Sequence, residues 1–159
     1  MLMPSIPLPA VCAPTLTASA KRAFDASPAT LYDAWTTGFE LWFAQPGTLS
    51  MEPQEGRAWF FYNRDDWGRH PHYGRFLKLK PHQTVETTWV TGNGQQEGTC
   101  GAETVLRIDL IPSGEQTLLK LHHTGFVSEH SRSAHAENWP LALDELADVL
   151  ATKSFSGNE

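Results

Sequence analysis

The chain is short of cysteine, short of cations and free of any long apolar run. Cysteine occurs twice in 159 residues, at Cys12 and Cys100. Two thiols in a chain long enough to bury its own core do not make a disulfide framework, so both are expected to be reduced, in a cytoplasmic protein. Lys and Arg number 12 against 18 Asp and Glu, a net charge of −6. That balance argues against binding to nucleic acid or to anionic membrane, which needs a basic stripe. No apolar stretch is long enough to insert through a bilayer. Residues 1–14 are apolar, but they lack Lys and Arg and carry Pro4, Pro7, Pro9 and Pro14. An extended arm is expected there rather than a secretory signal.

Recognised catalytic and cofactor motifs are missing too. The chain holds no nucleophile elbow, phosphate loop or dinucleotide fingerprint. Its histidines do not form a ligand set. His122 and His123 are neighbours on a strand and point to opposite faces, His70 and His72 bracket Pro71, and His130 and His135 stand five apart. No carboxylate or thiol completes a recognised spacing, so neither a metal nor a cofactor is expected.

What is abundant is aromatic. Six Trp, eight Phe and three Tyr stand in a chain whose hydrophobic share is 40%. Residues 15–24 alternate as a first strand. Ser27-Pro28 opens a helix, Ser as N-cap and Pro at the first helical position, with Leu31, Ala34 and Trp35 on one face and Gly38 as its stop. Phe39, Leu41, Trp42 and Phe43 form a second short helical segment, closed by Pro46-Gly47. Strands then follow one another: a short one over 48–52; 57–63, apolar on both faces; 72–80, with Tyr73, Leu77 and Leu79 on one face; 84–91, with Val85, Thr87 and Trp89 together; 103–111; and 117–124, with Leu119, Leu121 and His123 together. Between them, 92–101 carries four glycines and reads as a loop. Arg64 to Arg69 reads as a charged hairpin tip. The last segment, 128–152, has helical periodicity in His135, Trp139, Leu143, Leu146 and Leu150. Pro140 interrupts it, which predicts a kink or break near Asn138. Strands followed by one long helix predict an α+β domain over 15–152 with an antiparallel sheet, leaving a tail at 153–159.

Three stretches carry a family resemblance. They are Phe24-Asp25-Ala26-Ser27-Pro28 through Leu31-Tyr32-Asp33-Ala34-Trp35-Thr36; Tyr73-Gly74-Arg75-Phe76-Leu77 with Pro81 and Thr88-Trp89; and Glu103-Thr104-Val105 through Gly114, Thr117-Leu118-Leu119, His123-Thr124-Gly125-Phe126, His135, Trp139 and Leu143. In this order and spacing the chain resembles the SRPBCC, or START-like, superfamily. Within it, the chain is similar to the subfamily related to the C-terminal domain of the heat-shock-protein-90 ATPase activator. It departs from the pattern at Asn138, where relatives often carry Gly, and at Pro140. The resemblance implies a helix-grip fold like that of the birch-pollen allergens: a curved antiparallel sheet of about six or seven strands around a long C-terminal helix. It also implies an internal cavity, used by relatives that bind ligands, cyclise polyketides, confer resistance or carry lipids.

The expected function is therefore binding of a small hydrophobic or aromatic ligand between sheet and helix. The expected lining is Trp42, Phe60, Tyr62, Tyr73, Leu77, Trp89, Leu106, Ile108, Leu119, Leu121, His123, His135, Trp139 and Leu143. Each has an ordinary alternative as core packing. His123 either points into the cavity or is a buried histidine bonded for structural reasons. A second reading is a cyclase or dehydratase, with His123 or His135 as acid–base and Tyr62 or Tyr73 assisting. A third is a chaperone-associated interaction module. A homodimer is compatible with all three.

Overall fold

The structure, a computed structural model, describes residues 16–66, 68–92 and 98–152. The expected arm and tail, Cys12 and the middle of the glycine-rich loop lie outside the described residues. The elements run β1 (Leu16–Phe24), α1 (Pro28–Ala34), a 3-10 turn (Thr37–Leu41), β2 (Ala58–Asp65), β3 (Gly68–Lys80), β4 (Thr84–Thr91), β5 (Thr104–Ser113), β6 (Gln116–Phe126) and α2 (Glu129–Thr152). The strands form one antiparallel, curved sheet in the order β1-β6-β5-β4-β3-β2, and α2 packs on β1 and β6. This is the α+β helix-grip architecture expected from the sequence.

Local chemistry sets the boundaries. Ser27 Oγ accepts from the Thr30 N–H at 3.1 Å and Pro28 begins α1. The helix stops at Trp35 rather than at Gly38, which lies inside the 3-10 turn. β5 and β6 meet at a two-residue turn between Ser113 and Gln116, where Gly114 at φ +63° supplies the positive φ that tight hairpins need.

Three expectations are corrected. Residues 48–52 do not form a strand; they make one bridge, Ser50 to Phe60. With its neighbours this segment closes the outer edge of β2. Ser50 exchanges backbone bonds with Phe60, Thr48 Oγ1 donates to the Tyr62 carbonyl at 2.9 Å, and Gln45 Oε1 accepts from the Arg64 N–H at 2.9 Å. Such cover keeps an edge strand from pairing with another chain. Second, the 72–80 face is misassigned. A bulge between Phe76 and Lys78 inserts Leu77, so Phe76 is 1% exposed while Tyr73 is 44% exposed. One extra residue flips a period-two pattern. Third, of the kink or break expected near Asn138, the break does not occur: α2 continues through Pro140. That proline is exposed.

Gly74 is a tight point of the sheet. A Cβ there would stand 2.0 Å from the Thr88 carbonyl oxygen and 2.9 Å from the Trp59 ring. Gly74→Ala is therefore expected to cost at least about 2 kcal/mol through forced backbone displacement. Urea unfolding measures it; a variant as stable as the parent contradicts this packing.

Candidate functional site

The interior lies between the inner sheet face, α1, the 3-10 turn and α2. Trp89 on β4 stands at its centre. Its ring centroid is 5.2 Å from Trp59, 5.4 Å from Trp139 and 5.7 Å from Phe43. Trp35 closes the other side, 5.0 Å from Trp42 and 6.0 Å from Trp139. Edge-to-face and tilted pairs of this kind add to the burial of each ring. Between Trp35, Phe39, Met51, Trp59, Trp89 and Thr87 a void of about 10 Å³ remains. That is room for one water at most, whereas ligand pockets measure about 300–1,000 Å³. At this point of the interior, indole and phenyl rings occupy the space between sheet and helix.

The buried polar atoms are nearly all committed. Trp139 Nε1–H donates to His123 Nδ1 at 3.0 Å. Since Nδ1 accepts, the neutral ring carries its proton on Nε2, which donates to Thr104 Oγ1 at 2.7 Å. Thr104 in turn donates to the Trp89 carbonyl at 2.5 Å. Protonating His123 would set an N–H against the indole N–H. Burial, with His135 and His122 nearby, holds its pKa well below the usual histidine value. His135, one turn before Trp139, hydrogen-bonds the Ser131 carbonyl through Nδ1 at 2.8 Å and stands edge-on to His123 at 5.1 Å. Burial lowers its pKa as well, against the raising effect of the Ser131 bond. His72 stacks on Phe61 at 4.7 Å, and its buried Nδ1 has no hydrogen-bond partner among the described residues. Burial pushes it down to about 4. Three other buried indoles are satisfied, Trp42 by the Ala34 carbonyl, Trp59 by Thr87 and Trp89 by Thr91. The exception is Trp35 Nε1.

The sequence-predicted residues divide cleanly. Trp42, Trp89, Leu106, Ile108, Leu119, Leu121, His123, Trp139 and Leu143 are buried, and His135 is half-buried beside them. Phe60 and Tyr73 are directly paired across β2 and β3 on the outer face, 41% and 44% exposed. Tyr62 shares that face under the Arg69 guanidinium, and Leu77 is the bulge residue. No tyrosine hydroxyl joins the histidines, so the acid–base grouping of His123 or His135 with Tyr62 or Tyr73 is not brought together. Sequence reasoning passed over Trp35, Phe39, Trp59, Phe76, Thr104 and His72. Alternation within β2 places Trp59 and Phe61 together, the one signal that could have found them. Among the described residues no group of His, Cys, Asp or Glu could hold a metal ion.

Buried His72 and His123 and half-buried His135 couple stability to acid. Each has a folded-state pKa below its unfolded value, so the unfolded chain takes up protons first. Stability is fully present above about pH 6.5 and declines as pH falls toward each folded pKa. For His72 the window reaches down to about 4, and each such histidine contributes about 1.4 kcal/mol per pH unit within its window. Urea unfolding at pH 7.5 and 5.0 is expected to show a loss of at least about 2 kcal/mol. His72→Phe, which keeps the stack on Phe61, is expected to reduce that loss by about 2 kcal/mol; an unchanged pH dependence contradicts the assignment.

Comparison with known proteins fits this geometry. No curated protein matches the chain significantly in sequence. Solved structures agree in fold. The protein MLL2253 from Mesorhizobium loti superposes with a TM-score of 0.70 at 22% identity, covering 86% of this chain and 98% of that one. CalU16 from Micromonospora echinospora gives 0.68 at 20% identity, covering 87% and 78%. A structure described as the Aha1 dimer from Colwellia psychrerythraea gives 0.64 at 22% identity, covering 86% and 96%. Residues 25–151 match the family described as "Activator of Hsp90 ATPase homolog 1-like protein", and to that family the chain belongs.

Proposed function

We propose that this domain acts through its outer surface, as an interaction module of the chaperone-activator type, rather than by enclosing a cargo or running a reaction. The observation that supports this is the filled interior. The void lined by Trp35, Trp59 and Trp89 measures about 10 Å³, and both nitrogens of His123 are occupied. An acid–base group must reach a substrate proton, and the void beside Trp89 has no room for a substrate at His123. Apolar side chains are instead offered outward, among them the cross-strand pair Phe60 and Tyr73. The family name supplies the partner class, a heat-shock-protein-90-type chaperone. Calorimetry of the purified chain against such a chaperone is expected to give saturable binding, with a changed rate of ATP hydrolysis. No heat of association and no change in ATP turnover would remove the reading.

A second reading is favoured by one atom. Trp35 Nε1 is a buried donor without a partner, on the wall of the small void, next to half-buried Met51. Unpaired buried donors are costly, and methionine repacks easily. A small guest with a hydrogen-bond acceptor would enter by displacing Met51 and would take the Trp35 N–H. Such a guest at a hundredfold its dissociation constant is expected to add about 2.7 kcal/mol to stability, read by thermal melting against small aromatic ketones and phenols. Trp35→Phe should abolish the gain; equal shifts in parent and variant contradict it.

A further inference from the structure

The outer face of β1, β6 and β5 carries an open groove of about 570 Å³ at the opposite end of the sheet from Phe60 and Tyr73. The strand registers place its polar side chains on a grid. Ser19 lies opposite His122, which lies opposite Arg107; Lys21 lies opposite Lys120, which lies opposite Asp109. The grid holds three permanent cations and one carboxylate, in a chain whose net charge is −6. That carboxylate is already engaged. Asp109 accepts from Arg107 Nε at 2.9 Å and from Thr84 Oγ1 at 3.0 Å, and Arg107 also meets Glu86 at 3.6 Å. Lys21 and Lys120 have no ion pair among the described residues. Like charges directly opposite one another weaken a sheet, and the only carboxylate of the grid, Asp109 beside Lys120, is already bonded to Arg107 and Thr84.

We propose that this grid is the docking surface for an extended acidic segment of a partner protein. The inference rests on the surface-acting reading above and names the chemistry of the partner. Charge complementarity selects an anion, and the layout selects a peptide over a phosphate. The backbone N–H groups of β6 are spent on its ladders with β1 and β5, and the outer N–H row of edge strand β1 runs straight along the sheet rather than converging. No nest of free amides remains, of the kind that cradles a phosphate. The cations are instead spread over three strands. Along a strand, same-face residues repeat at about 6.8 Å. An extended chain with carboxylates at alternate positions has that same repeat, so its side chains fall in step with Lys120 and His122. His122 hydrogen-bonds Ser19 through Nδ1 at 3.0 Å, which steers its ring across the face.

The test uses the full chain and a hexaglutamate peptide, followed by NMR titration and calorimetry at low salt. Shifts are expected at Ser19, Lys21, Lys120 and His122, with binding that weakens steeply as salt is raised. Lys21→Gln with Lys120→Gln is expected to weaken it roughly tenfold. Both lysines are exposed, so the fold is kept, and a melting temperature no lower than the parent's confirms it. Arg64→Gln with Lys80→Gln, away from the grid, should leave binding as it was. Equal losses in both double variants, or binding of inorganic phosphate or a short oligonucleotide at these residues without hexaglutamate, overturn the proposal. Chaperone binding that survives Lys21→Gln with Lys120→Gln at full strength overturns it too, and leaves the surface-acting reading standing. Chaperone binding absent from the parent defeats only that broader reading, because the peptide titration is scored separately.

Discussion

One neutral imidazole holds this molecule together. His123 lies on β6, receives the Trp139 N–H from α2, and passes a hydrogen bond through Thr104 on β5 to the carbonyl of Trp89 on β4. Each partner is buried, so each bond forms where water cannot compete and where an unmade bond would be costly. The chain of donors has one direction, because the indole can only donate and the carbonyl can only accept. That direction fixes the tautomer of His123, and with it the depth at which α2 sits on the sheet. Arg22 and Asp144 tie the later part of the same helix to β1 at the surface, but an ion pair so exposed adds little.

The depth of α2 decides what the interior contains. A bent sheet and a closing helix define a volume, and side chains determine how much of it stays open. Here Trp35, Trp59, Trp89 and Trp139 converge with Phe39 and Phe43. Phe43 stacks on Trp139 at 5.8 Å and lies edge-on to Trp89, so the short turn after α1 fills the space. The same topology with leucine or alanine at these positions would be hollow. Family membership therefore carries the fold across and leaves the cavity to each sequence.

The order of elements and the antiparallel class were legible, because alternation, N-cap chemistry and helical period each leave a local mark. Pattern failed wherever one residue changed the phase. Leu77 in its bulge moved Tyr73 outside and Phe76 inside, and nothing in 72–80 distinguishes bulged from regular alternation. In β2, where both faces are apolar, sequence could not say whether Trp59 or Phe60 faced the core; only pairing with Gly74, small enough to lie beneath the Trp59 ring, resolves it. His123 was placed on the inner face correctly, yet its two bonds depend on Thr104 and Trp139, distant in sequence by 19 and 16 residues. Hydrogen-bond completion of that kind is a property of the packed state.

An interior this committed constrains where new chemistry can arise. Changing Thr104 or Trp139 to serve a ligand would leave His123 with an unmade bond in a dry core, a cost that competes with the modest stability of any single domain. Outward residues carry no such debt. Lys21, Lys120 and His122 alternate with inward Ala20, Leu121 and His123, so each strand presents one face that must be conserved in volume and another whose charge can vary freely. A fold with a sealed centre thereby separates the residues that keep it folded from those that select a partner. The separation follows from the two-residue period of the strands, and from the rings that leave the centre no room.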